Sequence, residues 1–320
     1  MTWIIGIDEA GYGPNLGPLV MSAVAFQIPE EVEELDLWKL LRAAVRRPGE
    51  EDDGRLLIED SKLVYSSARG LSALEYGVLA AVPRKGKPAN RLSEILQDLS
   101  STAVHEIELE LWYHGKTAVP VLTESETLAT GSQLFADGCR QAGLKPGLVQ
   151  SVIVCPARFN QLVDYYGSKG GVLGHGLSHL LPAQVNACTD QDRILFFIDK
   201  HGGRNTYAAM VQHALSASLV LTREEGMARS VYTVHGLGRE VRLAFQPRAD
   251  AEHFCVALAS MVSKYLRELL MIEFNEFWID KVDGLKATAG YPGDAARFFE
   301  AILPVVNRLG IAREAIWRCR

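Results

Sequence analysis

The sequence predicts a layered α/β or α+β fold in which helices cover a mixed β-sheet. Three observations support this prediction. Strand-like apolar runs and helix-like stretches follow one another along the whole chain, which is typical of such folds. The hydrophobic fraction is 48% and the charged fraction 22%, both ordinary for a globular chain. The 320 residues are enough to bury a large core without disulfides or metals.

Strand-like runs occur in both halves of the chain. Each is a short run of large apolar and β-branched residues, a composition that favours strands. We predict strands over Trp3–Asp8, Pro18–Phe26, Leu148–Cys155, Arg193–Asp199 and in pieces of 218–246. The glycine-rich segment 11–17 should be a turn, so the first two strands should form a strand–turn–strand unit.

Helix-like stretches lie between these strands. We predict helices over Glu30–Arg47, 66–82, 123–143, 205–216, 294–308 and from Asp250 to about Phe274. In the helix after Asp250, one face should point to the core, with side chains three or four residues apart: Met261, Tyr265, Leu269 and Ile272. Glycines at 170, 171, 174 and 176 argue against a stable helix there. Pro83–Pro88 is predicted to be a loop.

The composition limits the class of protein. The net charge is −6, so a nucleic acid would have to be held by local basic patches. The five cysteines are too far apart for a zinc or redox motif and should be reduced thiols. The first residues do not resemble a signal peptide, and no apolar run reaches the roughly 18 residues of a membrane span. We therefore expect a soluble, cytoplasmic protein that does not bind membranes.

The glycines of the first turn do not fit a dinucleotide-binding loop. Gly11, Gly13 and Gly17 have the spacing GxGxxxG instead of GxGxxG. Asp8 and Glu9 precede the loop, where they would repel a pyrophosphate, and a strand follows it instead of a helix N-terminus. Either the glycines only make a tight turn, or they belong to a site that includes the two acids.

Four acids occupy similar positions in the sequence. Asp8 and Glu9 end the first strand, Asp199 ends another, and Asp250 precedes a long helix. Acids that end strands of one sheet can meet at one edge, and such oxygen clusters suit hard divalent cations. However, Asp8 and Glu9 would point to opposite faces of a regular strand. Both reach one site only if the strand has ended or bulged there.

Two of these acids also have simpler explanations. Asp250 could be only a helix N-cap, and Asp199 could pair with Lys200 or Arg204. The spacing alone therefore leaves open whether the four acids form a site.

Four segments resemble, in order, the signature motifs of type 2 ribonuclease H, also called ribonuclease HII. They are Gly6–Pro14 followed by Gly17–Val20, Asp60–Leu63, Arg248–Asp250 followed by Val256–Ser260 and Lys264, and Gly290–Pro292. The resemblance implies a ribonuclease H-like fold, a mixed central sheet of about five strands flanked by helices. It implies a single domain over 1–320. We expect insertions at 84–147 and, as a helix plus hairpin, at 205–247.

The resemblance also implies an activity. The chain would be an endoribonuclease that hydrolyses the RNA strand of RNA–DNA hybrids, or a ribonucleotide embedded in duplex DNA. Matched by position, Asp8, Glu9, Asp199 and Asp250 would be the catalytic acids and would bind two Mg²⁺ or Mn²⁺ ions. Asp199 is followed by Lys-His-Gly-Gly-Arg, which departs from the family's short motif at that point.

The resemblance further assigns substrate contacts. Lys62 would contact a phosphate, and Gly11 and Gly13 would present backbone groups to the ribose 2′-hydroxyl that distinguishes RNA from DNA. Tyr291 would stack on the neighbouring sugar. The family commonly has Arg between the two glycines, or Lys in the related type 3 enzymes. Tyr12 here can stack but supplies no charge to a phosphate.

Three weaker candidates lie outside these motifs. Arg204, within the run His201–Asn205, could supply the missing phosphate contact, or the run could be a Gly-Gly turn capped by Asn205. His175 and His179 stand four apart, as zinc ligands on a helix would, but no third ligand is evident. A basic cluster could meet a phosphate backbone or be a solvated loop; it contains Arg84, Lys85, Lys87 and Arg91.

Two other functions stay open at this point. Tyr12 and the acidic net charge are compatible with a non-catalytic protein that binds hybrids or structured RNA. A ribonuclease H-like nuclease for another structured nucleic acid is the second alternative. The sequence does not indicate an oligomeric state.

Overall fold

The computed structural model describes residues 1–29, 36–66, 70–83, 89–102, 104–188, 192–216 and 219–319. Its strands are β1 Thr2–Ala10, β2 Leu19–Ile28, β3 Val45–Arg46, β4 Leu56–Leu57, β5 Lys145–Val154, β6 Arg193–Asp199, β7 Leu219–Glu225, β8 Ser230–His235 and β9 Val241–Gln246. Its helices are α1 Leu37–Leu40, α2 Ser61–Val64, α3 Ser72–Ala81, α4 Leu92–Leu99, α5 Val104–Glu108, α6 Ser125–Gln141, α7 Pro156–Tyr166, α8 Lys169–Ala187, α9 Ala208–Ala214, α10 Ala249–Glu252, α11 Phe254–Ile279, α12 Pro292–Leu309 and α13 Arg313–Ile316.

The large sheet has the strand order β5-β2-β1-β6-β9-β8-β7. Strand β1 is antiparallel to β2 and parallel to β6, and β6 is parallel to β9. The predicted fold class, a mixed sheet flanked by helices, is confirmed. The sheet has seven strands instead of about five, because β8 and β7 pair antiparallel beyond β9 and extend it. Strand β7 is the outermost of these, and its register shifts between Thr222 and Glu224.

Separate hydrophobic cores cover the two faces of the sheet. One contains buried residues of β2, α3 and α11, and the other contains buried residues of β1, α8 and α9. A third core joins the end of α11 to α12, and it includes Phe274 and Trp278. The predicted core-facing stripe is buried at Met261, Tyr265 and Leu269.

Two helix predictions were wrong. In the predicted helix Glu30–Arg47, residues 30–35 lie outside the described chain, and the remainder forms α1 and β3. Helix α1 starts where it does because the Asp36 side chain accepts hydrogen bonds from the amides of Trp38 and Lys39. Conversely, no stable helix was expected near the glycines at 170, 171, 174 and 176, but helix α8 includes all four. These glycines allow close packing: a Cβ on Gly176 would lie 2.8 Å from the sulfur of Met21.

The other predicted strands and helices are present with boundaries shifted by a few residues. Of the predicted loop Pro83–Pro88, residues 84–88 lie outside the described chain. Insertions at 84–147 and 205–247 stay predictions. Among the helices described, none is long and apolar enough to cross a membrane.

Strand β1 and helix α11 approach each other closely beside Gly6. A Cβ at Gly6 would be 2.1 Å from the carbonyl carbon of Cys255 and 2.2 Å from the amide nitrogen of Val256, both in α11. Main-chain atoms cannot rotate aside as side chains can. Glycine at this position therefore fixes the distance between β1 and α11, two residues before Asp8.

We expect Gly6→Ala to lower the free energy of unfolding by about 3 kcal/mol or more, because the added methyl group forces β1 and α11 apart. Chemical denaturation would measure this. The matched control is Gly203→Ala, since nothing lies within 4 Å of a Cβ there; its effect should stay within about 0.5 kcal/mol. Equal stability of the Gly6→Ala protein and the unaltered protein would contradict the packing described.

Candidate active site

The ends of three parallel strands bring the predicted acids together. Because β1, β6 and β9 are parallel, their carboxyl ends lie at the same edge of the sheet. Asp8 and Glu9 lie near the end of β1, Asp199 ends β6, and Asp250 follows β9 in α10. All four border one cleft of about 460 Å³. The same cleft is lined by most of the predicted substrate contacts: Gly11, Tyr12, Gly13, Lys62 and Tyr291.

Both acids of β1 reach the cleft although the strand neither ends nor bulges at them. Asp8 and Glu9 pair in regular register with Ser22 and Met21 of β2. Pairing with β6, in contrast, stops at Ile7 opposite Ile198. Beyond Ile7, the β6 side of β1 is therefore open. The expectation that the strand ends or bulges at the two acids was wrong, because the opening comes from the end of pairing with the neighbouring strand β6.

Serine hydroxyls surround Asp8. The Asp8 carboxylate accepts a hydrogen bond from Ser260, and Ser260 Oγ lies 3.0 Å from Ser61 Oγ. Ser263 Oγ donates to the Asp8 carbonyl at 3.0 Å. These serines were not predicted as site residues. Ser61 and Ser260 do lie within the matched motifs. This position in the motifs was the signal in the sequence that could have identified them.

Asp199 is fixed by the turn that follows β9. Its Oδ1 accepts a hydrogen bond from the amide of Ala249 at 3.0 Å. The preceding residue, Arg248, has a left-handed φ of 57°, which is uncommon for a residue other than glycine. Among the described residues, Asp199 forms no ion pair with Lys200, which instead donates to Asn205 Oδ1 at 3.0 Å.

Asp250 is not the N-cap of the long helix. It lies inside the short helix α10, where its Oδ1 accepts from the adjacent amide of Ala251 at 3.0 Å. Its carboxyl group also hydrogen-bonds to that of Asp60. Asp60 caps α2 by accepting from the amide of Lys62 at 2.9 Å. Asp60 is thus a fifth acid at the site, which the sequence marked only as part of a motif.

Burial and mutual repulsion favour protonation of these acids. Burial, followed by the charge of Glu9, raises the pKa of Asp8 well above its ordinary value. Burial and Asp199 raise the pKa of Glu9 to about 7. Burial and Asp60 raise the pKa of Asp250 to about 6. Burial also raises the pKa of Asp199, although the amide of Ala249 opposes the shift.

Lys62 supplies positive charge beside the acids. It lowers the pKa of Glu9, Asp199 and Asp250, partly offsetting their repulsion. Burial lowers the pKa of Lys62 itself, but the surrounding carboxylates, Asp60 first, outweigh burial and leave that pKa raised. The ammonium group therefore stays charged in the cleft.

The chemistry of the acids fits a hard divalent cation. Buried carboxylate oxygens that repel one another are ligands that Mg²⁺ or Mn²⁺ prefers, and a cation would relieve the repulsion. As they stand, no three His, Cys, Asp or Glu side chains of the described chain are close enough to hold a metal ion together. This includes His175 and His179, whose rings are in contact on α8.

The glycine loop, residues 11–16, forms the wall next to the acids. Tyr12 is half-buried, and Lys169 Nζ lies 5.0 Å from its ring centroid and 3.2 Å from its carbonyl oxygen. Arg204 does not line the cleft, but its charge lowers the pKa of Tyr12, which burial and Glu9 raise overall. The backbone amide of Arg204 donates to the carbonyl of His201 at 3.3 Å, which closes a turn.

The basic cluster lies almost entirely outside the described residues. Arg84, Lys85 and Lys87 are among residues 84–88, which the structure does not describe. Arg91 is described, and it immediately precedes α4. Both interpretations of this cluster, a phosphate contact and a solvated loop, therefore stay predictions.

Comparisons with known proteins give likenesses at low identity. No protein-family model and no curated protein matches the chain. The structure is similar to ribonuclease H2 from Pyrococcus horikoshii OT3 (14% identity, TM-score 0.46, covering 98% of this chain and 92% of that one). It is also similar to a PCNA:RNase HII complex from Archaeoglobus fulgidus (14% identity, TM-score 0.44, covering 99% of this chain and 94% of that one). A third similar structure is Bst-RNase HIII in complex with Mn²⁺ (13% identity, TM-score 0.45, covering 99% of this chain and 66% of that one).

The raised pKa values make the stability of the metal-free chain depend on pH. Between the ordinary and the raised pKa of an acid, the folded state binds more protons than the unfolded chain. The free energy of unfolding contributed by Glu9 and Asp250 therefore falls as pH rises from about 4 to about 7.

We expect Asp250→Asn to raise the free energy of unfolding by about 1–3 kcal/mol at pH 8, and to change it little at pH 4. The amide removes one repelling charge and keeps an oxygen for the Ala251 hydrogen bond. Denaturation of the metal-free protein at both pH values is the measurement. Asp283→Asn, at an exposed position, is the control. A destabilised Asp250→Asn protein at pH 8 would refute the electrostatic description.

Proposed function

We propose that this chain is a metal-dependent endoribonuclease that cuts the RNA strand of RNA–DNA hybrids or a ribonucleotide embedded in duplex DNA. The observation that carries the proposal is the meeting of Asp8, Glu9, Asp199 and Asp250 in one cleft beside the glycine loop. Such crowding of buried acids costs stability unless a cation is bound. The arrangement is therefore better explained by ion binding than by a structural role.

The acids are oriented before any ligand binds. Ser260 holds the carboxylate of Asp8, and the Ala249 amide holds that of Asp199. Asp8, Glu9, Asp199 and Asp250 would hold two divalent ions, which would supply an acidified water and neutralise the charge that develops on the leaving 3′ oxygen. The protein contributes positioning and fixed charge. The products would carry 5′-phosphate and 3′-hydroxyl ends.

Other residues of the cleft are placed to bind a ribonucleotide. The ammonium group of Lys62 can contact a phosphate, since it lies among the acids that would hold the ions. A Cβ at Gly13 would have Tyr291 as its nearest neighbour, 4.0 Å away. Tyr291 is 53% exposed, so its ring is available to stack on a sugar. The wall between Gly13 and Tyr291 is where we place the ribose.

Cleavage of labelled duplexes with Mg²⁺ or Mn²⁺ tests the activity. We expect cutting of DNA that contains one ribonucleotide or of a full RNA–DNA hybrid, and no cutting of plain DNA. Asp8→Asn should reduce the rate by a factor of at least about 10³, because a preorganised charge is lost at the reacting centre. Full turnover by Asp8→Asn would show that the site is assigned wrongly.

Metal binding tests the proposed ion site without depending on turnover. We expect Mn²⁺ to raise the melting temperature of the unaltered protein, and to raise it much less in Asp8→Asn, since a ligand that binds the folded state stabilises it. Hybrid binding without cleavage and without a Mn²⁺ shift would favour the alternative of a non-catalytic binding protein. Cleavage of a different structured nucleic acid would favour the other alternative.

Lys62→Met should weaken binding of an RNA–DNA duplex and reduce the slope of log affinity against log salt by about one, because one phosphate contact is lost. Binding is measured in the Asp8→Asn background, where the duplex stays intact. Lys116→Met removes the same charge from an exposed position that does not line the cleft, and it should leave the slope unchanged. An unchanged slope in Lys62→Met would exclude the proposed contact.

A further inference from the structure

A buried arginine from the last described segment holds the glycine loop. Arg318 is 1% exposed, and its Nη2 donates to the carbonyl of Gly11 at 2.6 Å and to the carbonyl of Pro14. Its own amide donates to the carbonyl of Asn15 at 2.8 Å. Three of the loop's six carbonyl groups are therefore bound by this single residue. Arg318 does not line the cleft, whereas Gly11 and Pro14 do.

Neighbouring contacts tie the same loop to two other segments. The amide of Asn15 donates to the carbonyl of Gly290 at 2.8 Å, and Leu16 forms a β-bridge with Trp317. Gly290 directly precedes Tyr291, the residue we place against the ribose. The geometry of the loop and the position of Tyr291 are thus set together.

Arg318 is costly to bury. Its Nε and Nη1 have no hydrogen-bond partner within the described chain, and the ring of Phe159 lies 4.6 Å from its guanidinium. Burial, and then Arg267 nearby, lower the pKa of Arg318 to about 9. Unpaired buried donors destabilise a fold. The benefit of Arg318 must therefore come from the loop it binds.

We propose that Arg318 is a positioning residue for ribose recognition. By binding the carbonyl groups of Gly11 and Pro14 from outside the cleft, it fixes the conformation in which the loop presents its other side to the substrate. This inference rests on the proposed function. It predicts that Arg318 controls the preference for a ribonucleotide over a deoxyribonucleotide without touching either.

Arg267 supports the other end of the loop and is a poorer test. It is 2% exposed and donates to the carbonyl groups of Leu16 and Ala289, each at 3.1 Å. However, Arg267 also lines the cleft. Its replacement would change the wall that faces the substrate, so a loss of binding would have two explanations.

The experiment compares Arg318→Lys and Arg318→Met with Arg313→Met, all in the Asp8→Asn background. Arg313 packs over the rings of Phe299 and Trp317 in the same segment and does not line the cleft. For each protein, affinity is measured for a DNA duplex with one ribonucleotide and for the same duplex without it. We expect the ratio of the two affinities to fall about tenfold in Arg318→Met, the effect of about one lost polar contact.

Arg318→Lys keeps the charge, but its shorter side chain does not carry the ammonium group to the position of Nη2, so it should restore the ratio only in part. Arg313→Met should leave the ratio unchanged. If both Arg318 variants keep the ratio of the parent while melting at a lower temperature, Arg318 is only structural and the inference is overturned.

Hydrogen exchange separates failure of this inference from failure of the proposed function. The amides of Gly11, Tyr12, Gly13, Asn15 and Leu16 should exchange about tenfold faster in Arg318→Lys than in the parent, with the sheet unchanged. Should the parent show no preference for ribonucleotides, the proposed function fails, and the exchange rates still test whether Arg318 holds the loop. Unchanged loop exchange in both variants would overturn the inference whatever the activity.

Discussion

Repulsion among buried carboxylates is the constraint around which this structure is organised. Asp8, Glu9, Asp199 and Asp250 share one cleft. Burial, and after it the charge of neighbouring carboxylates, raises the pKa of Asp8, Glu9 and Asp250. Flexible supports would let the side chains separate and reduce the repulsion. The chain instead places them on the ends of paired strands and on a short helix after a constrained turn. Lys62 provides part of the opposing charge, and the remainder is what a divalent cation would supply.

The rigidity that this requires comes from the contact between β1 and α11. Gly6 lets the two backbones touch, and two residues later the Asp8 carboxylate meets Ser260 of α11. The Asp8 carbonyl accepts from Ser263, which also bonds to Ser22 of β2. Helix α11 thus contacts both β1 and β2 at the position of Asp8. The glycine loop next to the acids is held from outside the cleft by Arg318.

The sequence predicted the parts of the site that depend on local pattern. Acids at the ends of apolar strands, and the order of four motifs, placed the main carboxylates in one cleft. Asp60 received no role, because its contact with Asp250 exists only after α2 folds against α10. The open side of Glu9 depends on β6 ending at Asp199, which the sequence of β1 cannot show. Glycine propensity argued against α8, but packing of Gly176 on Met21 outweighed it.

The register shift in β7 has a consequence for how the protein behaves at high concentration. An outermost strand offers unpaired amides and carbonyls to any other chain with a free edge. In β7 the shift between Thr222 and Glu224 interrupts that row, and Arg223, Glu224 and Glu225 place charges along it. A second molecule aligned there would have to match an irregular spacing and remove exposed charged side chains from water. Strands β8 and β7 therefore widen the sheet and also end it with a strand that resists edge-to-edge aggregation.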